Sequence, residues 1–337
     1  MNRVWSARLM GLARFAGAHP PNVLTPGLQA IARSVADAQQ AFASKGSAAT
    51  VPALLAGRRA VTDLEQTLKA TGADVYELTF RLDQKRQQFD EALLVAAGVR
   101  LDALSDDGVV MPGQKVNLSI YATSSATDAP VLASVSLAGF DNASLACQGP
   151  LTPGTAVVCK TPATIPANTH YSTPYWTPRK DSARYDFEPD VPFGVPFRPS
   201  PFRVAYHLKF GNDDVSIDRP LQFRYSDVMA GEKRTDLKVV PAFNVRVSPE
   251  ITVVPTGSGA QREVRVTVAN NEKGQATGAV TLKVPSGWTV DPARAPVTFG
   301  REDEEATVKF SLSAPASAPA GESAVTATMI CSQELSR

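Results

Sequence analysis

The sequence predicts a mainly β protein with an amino-terminal α segment: three helices followed by two antiparallel, immunoglobulin-like β-sandwiches. Two observations carry this. Apolar residues recur at helical spacing as far as residue 97 and at every second position beyond it. Turn signals then divide the alternating runs into many short pieces. The 337 residues suffice for roughly two or three domains of ~100–200 residues each.

Thr25-Pro26 is a good helix start, with Thr as cap and Pro at the first position. Leu28, Ile31, Val35, Ala38 and Phe42 share one face of this first helix, and Gly46-Ser47 ends it. A second helix runs from about Pro52 to Lys69 with Leu54, Leu55, Val61, Leu64 and Leu68 inside, and Thr71-Gly72 breaks it. A third carries Val75, Leu78, Leu82, Phe89, Leu93 and Ala96, a nearly heptad stripe that Lys85 interrupts; Gly98 is the expected stop. The stripes can form a core among themselves or pair with a partner helix.

From Val99 the period becomes two. Val116, Leu118 and Ile120 alternate with polar residues, and Val131, Ala133, Val135 and Leu137 follow. The clearest strand holds Phe202, Val204, Tyr206, Leu208 and Phe210 on one face, and a hairpin turn follows at Gly211-Asn212-Asp213-Asp214. Leu221, Phe223 and Tyr225 continue the sheet. One buried and one wet face marks antiparallel sheet and hence a sandwich. A second β-unit begins near Phe243. Val245 and Val247 lead to the apolar run Ile251–Pro255, and alternating runs follow at 264–268, 280–284, 308–312 and 325–329. Trp288 is expected to plug the end of that core.

The expected domains are a basic amino-terminal segment 1–24, a helical segment 25–98, a first sandwich 99–245 and a second sandwich 246–330. The first sandwich contains a long loop, 160–201, crowded with proline and with large rings. So many rings argue against disorder, and ordered loops of this length are often functional. Either the rings strap the loop down, or Tyr171, Tyr175 and Trp176 form a contact platform for carbohydrate or for a neighbouring domain.

Lys plus Arg number 34 against 33 Asp plus Glu, a net charge of +1, so no broad field gathers nucleic acid. No apolar run approaches the ~18 residues a spanning helix needs. The first residues are basic, but Arg8 and Arg14 interrupt the apolar stretch a signal peptide requires. Cys147 and Cys159 flank a turn-like insert; they are either a disulfide or two buried thiols, and Cys331 is left over. The histidines, His19, His170 and His207, show no metal-ligand spacing, and no G-x-S-x-G, P-loop or G-x-G-x-x-G motif occurs. Acidic clusters at Asp106-Asp107, Asp213-Asp214 and Glu302–Glu305 fall in expected turns, where water or a calcium ion can hold them.

Arg219-Pro220, Arg224-Tyr225, Asp227, Gly231-Glu232, Arg234 and Val239-Val240-Pro241, with Pro174-Tyr175-Trp176 upstream, resemble the region behind the catalytic domain of bacterial PIG-L (LmbE-like) deacetylases. The stretch from Thr281 to Pro292, and on to Pro319-Ala320-Gly321, resembles the immunoglobulin-like domain attached to α-galactosidases. The resemblance implies a non-catalytic accessory region, scaffolding or presenting substrate for a zinc-dependent N-acetylglucosamine deacetylase. Its catalytic domain would be the chain's main partner and would lie outside it. Zinc is implied for that missing domain and no cofactor for this chain, because Ala18-His19-Pro20 is followed by Pro21-Asn22 where the family has carboxylates. The chain is thus expected to be a fragment of an extracytoplasmic, periplasmic or secreted, protein. The other readings are a free-standing carbohydrate-binding or adhesive module and a structural protein whose helices pair with a partner.

Overall fold

The computed structural model describes residues 9–16, 20–70, 76–141, 144–192, 194–255, 257 and 259–331. The first eight residues of the basic segment, His19, the Thr71-Gly72 break, Val75 and Phe193 lie outside the described residues. The chain divides into two compact units. One comprises Met1–Asp106, Val116–Ala163 and Ser200–Asp236; the other comprises Asp107–Lys115, Thr164–Pro199 and Leu237–Arg337.

In the first unit three helices, α1 (Leu24–Lys45), α2 (Val51–Ala70) and α3 (Tyr76–Ala96), form in sequence order. Their apolar stripes turn inward. Leu28, Ile31, Val61, Leu68, Leu78 and Leu82 make one core, and Leu12 of the short 3-10 turn Gly11–Ala16 packs on it together with Leu9 just before that turn. Each fully buried side chain of this size contributes roughly 1.5–3 kcal/mol, so the stripes are consumed by the bundle's own core. Phe42, although in step with the α1 stripe, is 62% exposed. Gly57 sets the spacing between α2 and α3: a Cβ there would stand 2.3 Å from Cε1 of Phe89.

A charged cluster lies between the same two helices. Arg58 Nε donates to Asp90 Oδ1 at 2.5 Å, and Arg86 stands 3.6 Å from Asp90 and 4.0 Å from Glu65. Glu65 Oε1 is buried without a hydrogen-bond partner. Burial pushes the Glu65 carboxyl above the ordinary range, against the pull of Arg86.

The strands of this unit form two sheets. The five-stranded sheet has the order Gly231–Asp236, Gln222–Asp227, Val99–Ser105, Lys115–Ser124, Val157–Thr164. The four-stranded sheet has the order Asp213–Pro220, Arg203–Phe210, Val131–Ala138, Gly149–Pro150. Val99–Ser105 runs antiparallel to Lys115–Ser124 and makes a short parallel register with Gln222–Asp227, Leu104↔Gln222 and Ser105↔Phe223. The expected alternation holds: Phe202, Val204, Tyr206 and Leu208 are all buried. The Tyr206 hydroxyl donates to the Asp102 carbonyl oxygen at 2.6 Å, which fastens one sheet to the other. Burial, with the Asp102 charge nearby, pushes that hydroxyl's ionisation well above its usual range. Cys147 and Cys159 are bonded, their Cα atoms 5.7 Å apart. In the chain-entropy model such a short loop contributes about 3 kcal/mol.

The second unit contains a seven-stranded sandwich. Its sheets are Phe243–Ser248, Gln261–Asn270, Glu305–Ser313, Thr289–Asp291 and Ala295–Phe299, Ala276–Lys283, Thr326–Cys331. Val266, Val268, Val280, Phe299, Phe310 and Leu312 fill it. Trp288 does not plug this core. It is half-buried in the turn after Pro285, whose carbonyl accepts its N–H at 3.2 Å, because Phe299 and Phe310 already occupy the interior. The run Ile251–Pro255 forms no strand, and Ile251 and Val253 are exposed.

Gly57→Ala should destabilise the first unit by about 1–3 kcal/mol, because the added methyl must displace Phe89. Phe89→Leu should recover part of that loss in thermal denaturation. Glu65→Gln should raise stability at pH 7 by on the order of 1 kcal/mol, since it removes a buried charge that lacks a hydrogen bond. The sign follows from linkage. A carboxyl whose folded-state ionisation is raised weakens the native state only once pH rises past its unfolded value. The advantage of Glu65→Gln should therefore vanish below about pH 4 in denaturant titrations at several pH values.

Candidate functional site

The proline-rich segment is folded through its backbone. Val109–Val110 pairs in parallel with Lys238–Val239. Gly113 N donates to the Ile165 carbonyl at 2.8 Å, and Ile165 N to Gln114 at 2.9 Å. Ser172 N donates to the Val239 carbonyl at 2.8 Å, while Val239 N donates back to Ser172 Oγ at 2.9 Å. Residues 164–199 therefore cluster with the second unit, although the sequence sets them inside the first sandwich.

Anchored in this way, the segment raises a small hairpin. Trp176–Pro178 pairs antiparallel with Tyr185–Phe187 in the register Trp176↔Phe187, Thr177↔Asp186, Pro178↔Tyr185. Proline withholds a donor and keeps such strands short. The turn is closed by Arg179 N donating to Arg184 at 2.9 Å, and Asp181 takes a left-handed conformation, φ 56°, that its short polar side chain tolerates.

Residues opposed in an antiparallel pair share a face. Trp176, Pro178, Tyr185 and Phe187 therefore lie on one face, and Thr177 and Asp186 on the other. Tyr185 is 51% exposed and Phe187 50%; Trp176 is half-buried. Tyr175 is only 5% exposed. Its ring stands edge-on to Trp176 at 5.3 Å and tilted against Phe187 at 5.9 Å, and its hydroxyl donates to the Val195 carbonyl.

Two arginines around the hairpin are paired. Arg179 meets Asp186 at 2.5 Å, and Arg198 holds Asp190 at 2.7 Å together with Glu188. The Asp186 carboxylate keeps Arg179 protonated further above its ordinary range. The open face is thus apolar and aromatic with a charged rim behind it, an arrangement that can stack on a flat, weakly polar ring.

Of the three residues the sequence singles out, the structure brings Tyr175 and Trp176 together and leaves Tyr171 apart. Tyr171 is 47% exposed at the bend beside Ser172. Tyr175 braces the hairpin from within and offers no surface for stacking. Tyr185 and Phe187 join the face, and the sequence marks them only by the crowding of rings, because a three-residue strand is too short to display a period of two.

The acidic clusters have partners of their own. Both Asp106 carboxylate oxygens accept from Asn117, at 2.9 and 2.7 Å. Burial opposes the Asp107 charge, yet hydrogen bonds from Lys273, Gln114 and Val109 N hold its carboxyl below the usual range. Asp213 pairs with Arg59 at 3.3 Å, and Glu304 Oε2 accepts from Gly300 N and Arg301 N. Among the described residues no three of His, Cys, Asp and Glu gather as metal ligands.

Residues 256–332 match the family model described as the NPCBM-associated, NEW3 domain of alpha-galactosidase. The match covers the seven-stranded sandwich except its first strand, and a minor part of the chain. No curated protein matches. Among solved structures the chain is similar to the secreted serine protease VesC from Vibrio cholerae, at 11% identity over 70% of this chain and 51% of that one, with a TM-score of 0.23. It is also similar to E. coli alpha-2-macroglobulin, at 11% identity over 68% of this chain and 16% of that one, TM-score 0.20. A DUF4785 family protein from Legionella pneumophila matches at 13% identity over 63% and 46%, TM-score 0.22. The chain thus spans about half of VesC and less of the other two. TM-scores this low carry no argument about fold or function. What the comparisons show is that residues 256–332 are similar to a NEW3-type domain.

Proposed function

We propose that this chain is a non-catalytic accessory region of a carbohydrate-active protein, and that it holds sugar rings on the hairpin face formed by Trp176, Tyr185 and Phe187. The single observation behind this is the register that sets the three rings side by side with two of them half exposed. An apolar ring face set against aromatic side chains buries area without breaking the sugar's hydroxyl hydration, and aromatic residues of this kind dominate binding energy at small interfaces. The NEW3 match within the same compact unit supports a carbohydrate-associated role.

An extracytoplasmic location belongs to the same proposal. The Cys147–Cys159 disulfide supports it, because such bonds persist in oxidising compartments. No helix among the described residues is long and apolar enough to cross a membrane.

A narrower version makes the parent protein a zinc-dependent PIG-L-like deacetylase with its catalytic domain elsewhere in the same polypeptide. It rests on the Arg219–Pro241 resemblance alone. Zinc-dependent acetate release from N-acetylglucosamine conjugates by this chain itself would overturn the non-catalytic assignment.

On a glycan array the chain should bind, and Trp176→Ala or Phe187→Ala should each weaken binding about tenfold or more, roughly 1.4 kcal/mol. Tyr175→Phe should behave differently. It loses the hydroxyl bond to Val195 and about 0.5–1.5 kcal/mol of local stability, seen as faster amide exchange in the hairpin, while affinity stays within about twofold. Retained affinity in Trp176→Ala would sink the assignment of this face.

A further inference from the structure

The first compact unit carries a second concave feature that the hairpin does not involve. An open cleft of about 560 Å³ lies on the five-stranded sheet, and Asn117, Ser119, Tyr121, Lys160, Phe223 and Arg224 line it. Its volume falls in the ~300–1,000 Å³ range of small-ligand sites.

The charge balance of the cleft is uneven. Asp106 is the one acidic residue in its lining, and both of its carboxylate oxygens are taken by Asn117. Lys160 is exposed, and among the described residues its ammonium has neither an ion pair nor a hydrogen bond. Arg224 stands 3.6 Å from Glu232, beyond good hydrogen-bond distance, and Glu232 is engaged at 2.9 Å by Arg234. Two cations therefore face a lining whose acid is already satisfied. An anion that entered would gain charge-assisted hydrogen bonds without displacing a strong native pair.

The rest of the lining narrows the class of anion. Tyr121 offers a ring and a hydroxyl. Phe223 is stacked on Tyr225, centroids 5.9 Å apart and planes 13° apart, which fixes its ring. Ser119 and the Asn117 side-chain oxygen supply short polar groups suited to hydroxyls. Two cations are too few to track a nucleic-acid backbone, and the chain's net charge of +1 adds no attracting field. Fixed rings, hydroxyl partners and two cations together suit an acidic sugar. The disulfide to Cys147 anchors the backbone at Cys159, next to Lys160.

We propose that this cleft binds an acidic oligosaccharide of the uronate class, with Lys160 and Arg224 taking the carboxylates and Tyr121 and Phe223 packing on the sugar rings. The cleft's lining and the hairpin belong to different compact units and share no residue.

Titration calorimetry with a galacturonic acid trimer, on the whole chain, tests it. A neutral galactose trimer and a triglutamate peptide serve as controls. In the Trp176→Ala variant, whose hairpin face is disabled, the uronate trimer should bind and the two controls should not, and raising the salt should weaken binding. Lys160→Ala and Arg224→Ala should each cost about fivefold or more in affinity, and Lys160→Arg should restore most of it. Both positions are solvent-exposed or half-exposed, and circular dichroism will show whether each variant is folded. Trp176→Ala should leave this affinity unchanged, which separates failure of the cleft from failure of the hairpin. Equal binding of the neutral trimer or of triglutamate to the Trp176→Ala variant would overturn the proposal. So would uronate binding that survives the Lys160→Ala/Arg224→Ala double variant, or no binding up to about 5 mM trimer.

Discussion

The backbone rung at Val239 is the constraint on which the second unit's surface depends. Val239 N and its carbonyl both bond Ser172, while its neighbours Lys238 and Val240 donate to Gly108 and Val110 at 2.9 Å each. Three segments distant in sequence meet there. A buried backbone N–H or C=O left unpaired costs about as much as a lost hydrogen bond, and a proline-rich chain has few donors with which to satisfy its neighbours. The loop therefore takes its order from outside itself. With Ser172 fixed, Tyr175 reaches Val195, and the short strands between Pro174 and Pro189 have one register open to them.

A similar economy of polar contacts fixes the cores. Tyr206 fastens one sheet of the first sandwich to the other through a single hydroxyl. Asn270 is fully buried in the second unit, yet its amide donates to Glu272, Gly274 and Arg301 while its oxygen accepts from Glu272 N. Buried polar groups that are fully satisfied specify a unique arrangement. Glu65 is the exception among them: one of its oxygens is buried and unpartnered, and Arg86 is divided among three carboxylates.

The helices and longer strands were legible in the sequence because periodicity is a local property that burial enforces over many residues. Leu28, Ile31, Val61 and Leu68 are in step and all buried; Phe202 to Leu208 alternate and are buried as expected. Phe42 shows the limit, since a residue in step at a helix's last turn has nothing above it to pack against. Trp288 shows another, since its size suggested a core position that Phe299 and Phe310 had already filled. The hairpin rings were visible as composition and invisible as a face. Which of Tyr175, Tyr185 and Phe187 is buried depends on a register set by Ser172 and Val239, and three residues are too few to display a period of two. The cleft was illegible for the same reason: Lys160 and Arg224 are 64 positions apart, and only sheet order makes them neighbours of one space.

The Arg219–Pro241 stretch acquires a physical explanation from these contacts. Arg219 pairs with Glu91 on α3, Asp227 caps a tight turn by accepting from Met229 N and Ala230 N, Arg234 grips Asp102 with both nitrogens, and Val239 makes the rung. Four of its recognisable residues, Arg219, Asp227, Arg234 and Val239, thus carry structural duties. Residues up to Asp236 belong to one compact unit and those from Leu237 to the other. A segment so constrained would keep its pattern in any protein that joins two such units, whatever chemistry the rest of that protein performs. Its likeness to a deacetylase junction is thus evidence about architecture, and function has to be argued from the surfaces that the architecture presents.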